Sequence, residues 1–156
     1  MASIIAAFLW LGAPAHAEQS FHTIEYSDIS GNKQTLDASS AKLTAIHFWA
    51  TWCVPCIGEM PELNKAAGEY GPKGFRVLPL SLDNNPEKVK MFFALHDLGN
   101  LTPYFDMNYT LFYSLRLKGL PTTIFIDSKG NALSISSGPI RWQGEQAKQF
   151  LEEHLK

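Results

Sequence analysis

A mostly apolar run, Leu43 to Trp49, leads directly into the only two cysteines of the chain, Cys53 and Cys56. A run of this kind is typical of a strand that is covered on both faces. Apolar side chains then recur at helical spacing, at Ile57, Met60, Leu63 and Ala67. The sequence therefore predicts that the cysteine pair lies where a buried strand passes into a helix.

This position gives the two thiols a defined chemistry. The first turn of a helix has unpaired backbone N–H groups and a partial positive charge, which stabilise a thiolate. Cys53 is therefore the expected nucleophile, and Cys56 lies one turn later, close enough to resolve a mixed disulfide. Pro55 suits the first turn, where a missing N–H costs little. A zinc site, which needs two more ligands, and a purely structural disulfide stay open as alternatives.

The rest of the chain alternates between strand and helix patterns, in the order β-β-β-α-β-α-β-α-β-β-α. We predict strands at 21–26, 34–36, 43–49, 75–82, 102–106, 122–127 and 132–136, and helices at 54–70, 86–99, 109–116 and 142–154. Because helices separate the middle strands, these are expected to be parallel, whereas the last two form an antiparallel hairpin. The predicted fold is α/β, a mixed central sheet with helices on both faces.

Composition excludes some classes of function. Hydrophobic residues make up 46% and charged residues 18% of the 156 residues, and the formal net charge is -2. These values are ordinary for a soluble protein with a single core. No basic cluster is interleaved with aromatic residues, so we expect no binding to nucleic acid.

The N-terminal segment differs from the rest. Residues 4–13 are apolar and uncharged, and Ala15-His16-Ala17 forms a small-x-small cleavage pattern. This layout predicts a signal peptide at 1–17 and a folded domain at 18–156, although no Lys or Arg precedes the apolar run. The run is too short to span a bilayer, which needs about 20 apolar residues. A buried N-terminal strand or helix is the alternative.

Two motifs carry a resemblance to a known family. Phe48-Trp49-Ala50-Thr51-Trp52-Cys53-Val54-Pro55-Cys56, continued by Glu59-Met60-Pro61, resembles the active-site segment of the thioredoxin superfamily, in particular its exported TlpA-like reductases. Gly119-Leu120-Pro121-Thr122-Thr123 resembles the cis-proline segment of the same family, and residues 82–117 resemble its inserted strand-helix element. The resemblance covers about residues 20–154. It implies a thioredoxin fold with an N-terminal β-hairpin.

The resemblance also assigns roles to single residues. It implies that the bond before Pro121 is cis and packs beside the cysteines, leaving the Leu120 backbone free to pair with an extended substrate. Trp52 is expected to pack on the surface beside the site and, with Pro55 and Leu120, to contact substrate. The alternative for Pro121 is an ordinary turn proline.

The resemblance also bears on which residue exchanges a proton with the resolving thiol of Cys56. Thioredoxins carry a buried Asp at the position of His47, and this chain does not. Glu59, one turn after Cys56, is the candidate replacement, because a partly buried carboxyl has a raised pKa that suits the task. A solvated helical Glu59 is the alternative, and His47 is expected to be a core histidine with its hydrogen bonds satisfied.

The sequence thus predicts a protein thiol–disulfide oxidoreductase in the periplasm or another extracytoplasmic space. Its expected direction is reduction of disulfides in exported proteins, such as apocytochrome c. The family implies a membrane-bound electron donor. We expect a monomer that needs no cofactor and no metal. An oxidase or isomerase, and an assembly protein that binds copper through both thiols, remain as alternatives.

Overall fold

The structure, a computed structural model, describes Phe21 and residues 24–156. The segment 1–17, for which a signal peptide is predicted, lies outside the described residues. The strands are β1 Glu25–Ser27, β2 Lys33–Thr35, β3 Leu43–Trp49, β4 Phe75–Ser81, β5 Tyr104–Phe105, β6 Thr122–Asp127 and β7 Ala132–Ser137; the helices are α1 Val54–Tyr70, α2 Pro86–Leu95, α3 Thr110–Ser114 and α4 Glu145–His154. The predicted order of elements is confirmed. None of the helices in this part of the chain is long and apolar enough to cross a membrane.

All seven strands join one mixed sheet in the order β2-β1-β5-β4-β3-β6-β7. The three central strands β3, β4 and β5 run parallel, because α1 and α2 return the chain to the same edge between them. The hairpins β1–β2 and β6–β7 are antiparallel and stand at the two ends of the sheet. The carboxyl ends of the parallel strands therefore share one edge, where β3 leads into the cysteine pair.

The direction of β6 corrects the prediction, since β6 runs antiparallel to β3. The reason is the length of α3, which has five residues and spans about 7.5 Å. The six-residue β6 spans about 20 Å, so α3 is too short to carry the chain back across the sheet. The chain consequently enters β6 from the edge at which β5 ends, and Thr122 lies opposite Phe48.

Side chains that alternate along β3 face two separate cores. Leu43, Ala45 and Trp49 pack in one core against α1, α2 and α4. Ile46 and Phe48 pack in the other, which α3 covers. Helices therefore lie on both faces of the sheet, as predicted.

Two helix boundaries differ from the prediction. Helix α2 ends at Leu95 rather than near Gly99, because Asp97 takes a left-handed conformation with φ of 51° and Leu98 N–H bonds back to Phe93. Aspartate tolerates that conformation better than most residues, so no glycine is needed. Helix α4 begins at Glu145 rather than Trp142, after a turn that the Gly144 N–H closes on the Arg141 carbonyl.

Candidate redox site

The two cysteines form a disulfide at the N-terminus of α1, with an S–S distance of 2.06 Å and a Cα–Cα distance of 5.3 Å. Cys53 is the N-cap residue, and its Sγ accepts a hydrogen bond from the Cys56 N–H at 3.4 Å. One of the unpaired N–H groups of the first helical turn, that of Cys56, is therefore directed at the sulfur of Cys53. This is the placement that the sequence predicts, and it favours negative charge on that sulfur.

The two sulfurs differ in access to solvent. Cys53 retains 7% exposure, whereas Cys56 is completely buried among the residues of α1 and β3. A substrate disulfide can therefore reach Cys53, while Cys56 can react only with a sulfur that is already bound at Cys53.

The turn before Cys53 is held by Asp83, which follows β4. One Asp83 carboxylate oxygen accepts from the Thr51 backbone N–H at 2.8 Å, and the other accepts from the Thr51 hydroxyl at 2.6 Å. The Ser81 hydroxyl donates to the same carboxylate at 2.8 Å. This buried clamp ties the cysteine turn to the end of the neighbouring strand. The role of Asp83 is not predicted from the sequence, although an acidic residue directly after a predicted buried strand is a detectable signal.

An apolar groove of about 390 Å³ opens in front of Cys53. We call it the outer groove; it is lined by Trp52, Cys53, Pro55, Leu82, Tyr109, Phe112, Tyr113, Gly119 and Leu120. Trp52 is 57% exposed and Tyr113 is 68% exposed, so both present aromatic surface to solvent. Trp52, Pro55 and Leu120, the residues that are predicted to contact substrate, all line the outer groove. Tyr109, which precedes α3, and Phe112 and Tyr113 within it add an aromatic side to the groove. The sequence does not predict this aromatic side, although the three residues have the spacing of one helical face.

The segment before β6 forms another side of the outer groove. The Leu120–Pro121 peptide is cis, as the resemblance implies. The Pro121 carbonyl accepts from the Gly138 N–H at 2.8 Å, which joins this segment to the end of β7. Among the described residues, no backbone hydrogen bond uses the Leu120 N–H or carbonyl. Those two groups are available to a strand lying in the groove.

Glu59 is 5% exposed, so the expectation of a solvated side chain is excluded. Its Oε2 accepts from the Ile140 N–H at 2.7 Å and from the Trp142 indole N–H at 3.2 Å. Burial raises the pKa of Glu59 to about 7, an effect that these two hydrogen bonds oppose and the nearby Glu62 carboxyl reinforces. The carboxyl can therefore hold or release a proton near neutral pH.

His47 completes this buried cluster from β3. Its Nδ1 lies 2.9 Å from the Thr123 hydroxyl, and its Nε2 lies 3.4 Å from Glu59 Oε1. Burial lowers the pKa of His47 to about 3, so the ring is neutral. We call His47, Glu59, Thr123 and Trp142 the inner pocket. His47 is a core histidine, as predicted, but its hydrogen bonds are not all satisfied, because Nε2 has no hydrogen-bond partner among the described residues. The sequence did not indicate its contact with Glu59.

Comparisons with known proteins agree with this architecture. The model of the Redoxin family matches residues 16–151. The thiol-disulfide oxidoreductase ResA of Bacillus thuringiensis subsp. konkukian is 32% identical over 130 residues, which are 83% of this chain and 71% of that protein.

Solved structures of similar fold cover most of both chains. The proposed thiol:disulfide interchange protein DsbE of Chlorobium tepidum superposes with a TM-score of 0.78 at 25% identity, covering 89% of this chain and 97% of that one. The thioredoxin domain of a thiol-disulfide oxidoreductase from Bacteroides vulgatus gives 0.74 at 21% identity, with coverage of 89% and 97%. The second likeness is one of fold alone.

Proposed function

This chain belongs to the Redoxin family of the thioredoxin superfamily and is a protein thiol–disulfide oxidoreductase similar to ResA, and on that premise we propose that it reduces disulfides of exported proteins through Cys53 and Cys56. The observation that carries the proposal is the unequal access of the two sulfurs, with only Cys53 open to the outer groove.

In the proposed reaction the reduced enzyme supplies both electrons. The Cys53 thiolate attacks one sulfur of a substrate disulfide, that S–S bond breaks, and the released substrate thiolate takes up a proton. The Cys56 thiol then gives its proton to Glu59 and attacks Cys53 Sγ. The second substrate thiolate leaves, and the enzyme is left with the Cys53–Cys56 disulfide. During these steps the substrate segment is held by the backbone N–H and carbonyl of Leu120. It also packs against the exposed rings of Trp52 and Tyr113.

A trapping experiment tests these roles. Cys56→Ser is expected to accumulate a mixed disulfide with oxidised insulin, because nothing remains to resolve it, whereas Cys53→Ser is expected to form none. Non-reducing electrophoresis and mass spectrometry of the adduct measure both results. Equal trapping by the two variants, or trapping by Cys53→Ser alone, would contradict the assignment.

The surroundings of Cys53 support the proposed direction of electron flow. Among the described residues that line the outer groove, none is a His, Lys or Arg that could further stabilise a Cys53 thiolate. We therefore expect a reduction potential near that of thioredoxin, about -270 mV, rather than the strongly oxidising value of about -120 mV that DsbA has. Equilibration with glutathione buffers measures it, and a value near that of DsbA would favour the oxidase alternative.

The extracytoplasmic location rests on the apolar segment and the Ala15-His16-Ala17 pattern. N-terminal sequencing of the protein purified from its natural cell is expected to begin at Glu18, and a start upstream of the apolar run would contradict cleavage.

Apocytochrome c is the proposed substrate class, and a membrane-bound donor is the proposed source of electrons. An oxidised Cys-x-x-Cys-His peptide, compared with one whose His is replaced by Ala, tests whether haem-attachment motifs are preferred.

A further inference from the structure

His47 and Thr123 face each other directly across the antiparallel pair β3–β6. The His47 ring is completely buried, and Thr123 is as well. Glu59 approaches the other ring nitrogen from α1. Three polar side chains from three different elements therefore meet in the inner pocket, and of the three only Glu59 keeps any exposure to solvent, 5%.

The two atoms that face each other in the contact between His47 and Glu59 have no other polar partner in the part of the chain that the structure describes. Neither His47 Nε2 nor Glu59 Oε1 makes a hydrogen bond among the described residues, and these two unpaired atoms lie 3.4 Å apart, within ion-pair distance of each other. The second carboxyl oxygen already accepts from Ile140 and Trp142. Since a buried polar atom without a partner is costly, a proton is expected to lie between Nε2 and Oε1 in both charge states of Glu59.

The position of that proton decides the tautomer of the ring. A protonated Glu59 donates through Oε1–H, so Nε2 accepts and the ring proton resides on Nδ1, donating to the Thr123 hydroxyl. An ionised Glu59 accepts, so the ring proton resides on Nε2 and Nδ1 accepts from the Thr123 hydroxyl. Between the two states the pair loses one proton, and its remaining proton moves from Nδ1 to Nε2.

We infer that His47 is a positioning residue whose ring tautomer follows the proton on Glu59, so that the Glu59 carboxyl keeps a hydrogen-bond partner whether it is protonated or ionised. This inference rests on the proposed role of Glu59 as the proton acceptor for Cys56. A neutral imidazole suits the task because it can donate or accept from the same atom. A lysine there would hold Glu59 ionised, and a leucine would hold it protonated.

The other groups that face Glu59 and His47 do not compete with His47 as a basic partner for the Glu59 carboxyl. Thr123 from β6 and the N–H groups of Ile140 and Trp142 are uncharged. Glu62, one turn further along α1, adds negative charge that raises the pKa of Glu59. Among the described residues, His47 is the only basic side chain that lies within ion-pair distance of the Glu59 carboxyl.

The tautomer can be read directly by NMR from the two ring nitrogens of His47. In the oxidised protein the cysteines do not titrate, so the measurement is independent of Cys56. We expect the ring proton to move from Nδ1 to Nε2 with the same midpoint as the Glu59 carboxyl carbon, near pH 7. A ring that keeps one tautomer while Glu59 titrates, or that becomes a cation in this range, would overturn the inference.

Glu59→Gln provides the matched variant. Its amide oxygen is expected to take the place of Oε2 and accept from Ile140 and Trp142, so its NH₂ group faces His47 Nε2. The ring should then stay in the Nδ1–H form at every pH. A tautomer change that persists in this variant would show that Glu59 does not control it.

Two substitutions of His47 separate its hydrogen bond from its bulk. His47→Gln can still donate from the position of Nε2, whereas His47→Leu cannot. Loss of a hydrogen bond to the ionised form is expected to raise the Glu59 midpoint in His47→Leu by about one pH unit above that in His47→Gln. Equal midpoints would overturn the inference. Cys56 reactivity that is unchanged in Glu59→Gln would instead remove the proposed role of Glu59 and leave the tautomer result standing.

Discussion

The outer groove, which Cys53 lines, and the inner pocket, to which α1 contributes Glu59, are built in contrasting ways. The outer groove is a broad apolar surface with exposed rings such as Trp52 and Tyr113. The inner pocket is nearly closed to solvent, and hydrogen bonds fix Glu59 Oε2 and His47 Nδ1 to particular partner atoms. Apolar contact depends mainly on area, whereas a buried hydrogen bond depends on a specific atom. The outer groove is therefore suited to varied substrates, and the inner pocket to a single proton transfer.

The largest effect should come from the inner pocket. Glu59→Gln keeps the shape but cannot accept a proton, so reduction of insulin at pH 7 is expected to slow by about 100-fold. Glu69→Gln, an exposed change on the same helix, is the control and should stay near the wild-type rate. A Glu59→Gln rate within twofold of the control would remove the functional difference between the two regions.

Stability against pH is the next test, because burial shifts the pKa values of Glu59 and His47 in opposite directions. The folded-state pKa of Glu59 is raised from 4.5 to about 7, so its contribution to stability is present at low pH and is lost as pH rises through that range. The folded-state pKa of His47 is lowered from 6.5 to about 3, so its contribution is lost as pH falls. Between pH 5 and 6 the two slopes oppose each other.

Glu59→Gln removes one of those slopes. The free energy of unfolding of the oxidised variant should then rise with pH by about 1.4 kcal/mol per pH unit more than that of the wild type. Urea denaturation at pH 5 and pH 6 measures the difference. Parallel curves for the two proteins would mean that Glu59 does not titrate as its burial implies.

The smallest effect should come from the outer groove. Trp52→Ala or Tyr113→Ala removes one of several apolar contacts, so KM for a protein substrate should rise about threefold to tenfold while kcat and the reduction potential stay nearly constant. Met91→Ala, an equally exposed apolar change on α2 outside the groove, is the control. A loss of kcat without a change in KM would show that the groove participates in the chemistry.

Features set by local sequence patterns could be predicted, whereas contacts between distant segments could not. The bounds of β3, α1 and β6 follow from local apolar patterns and from the helix start at Cys53, and the structure matches all three. The direction of β6 and the His47–Glu59 contact depend on how distant segments meet, which no local pattern encodes. His47 and Glu59 belong to two elements that the sequence placed correctly, yet their contact with Thr123 and Trp142 arises only from strand register and the turn before α4.

The shortness of α3 limits what insertions this architecture would tolerate between β5 and β6. Flexible residues added beside it would lengthen a surface loop at little cost, because the chain would still enter β6 at the same edge. A helix long enough to cross the sheet would deliver the chain to the opposite edge, about 20 Å away. Leu120 and Pro121 would then begin their strand far from Cys53. Homologues that enlarge this region are thus expected to do so with loops or with pairs of helices, and not with one long helix.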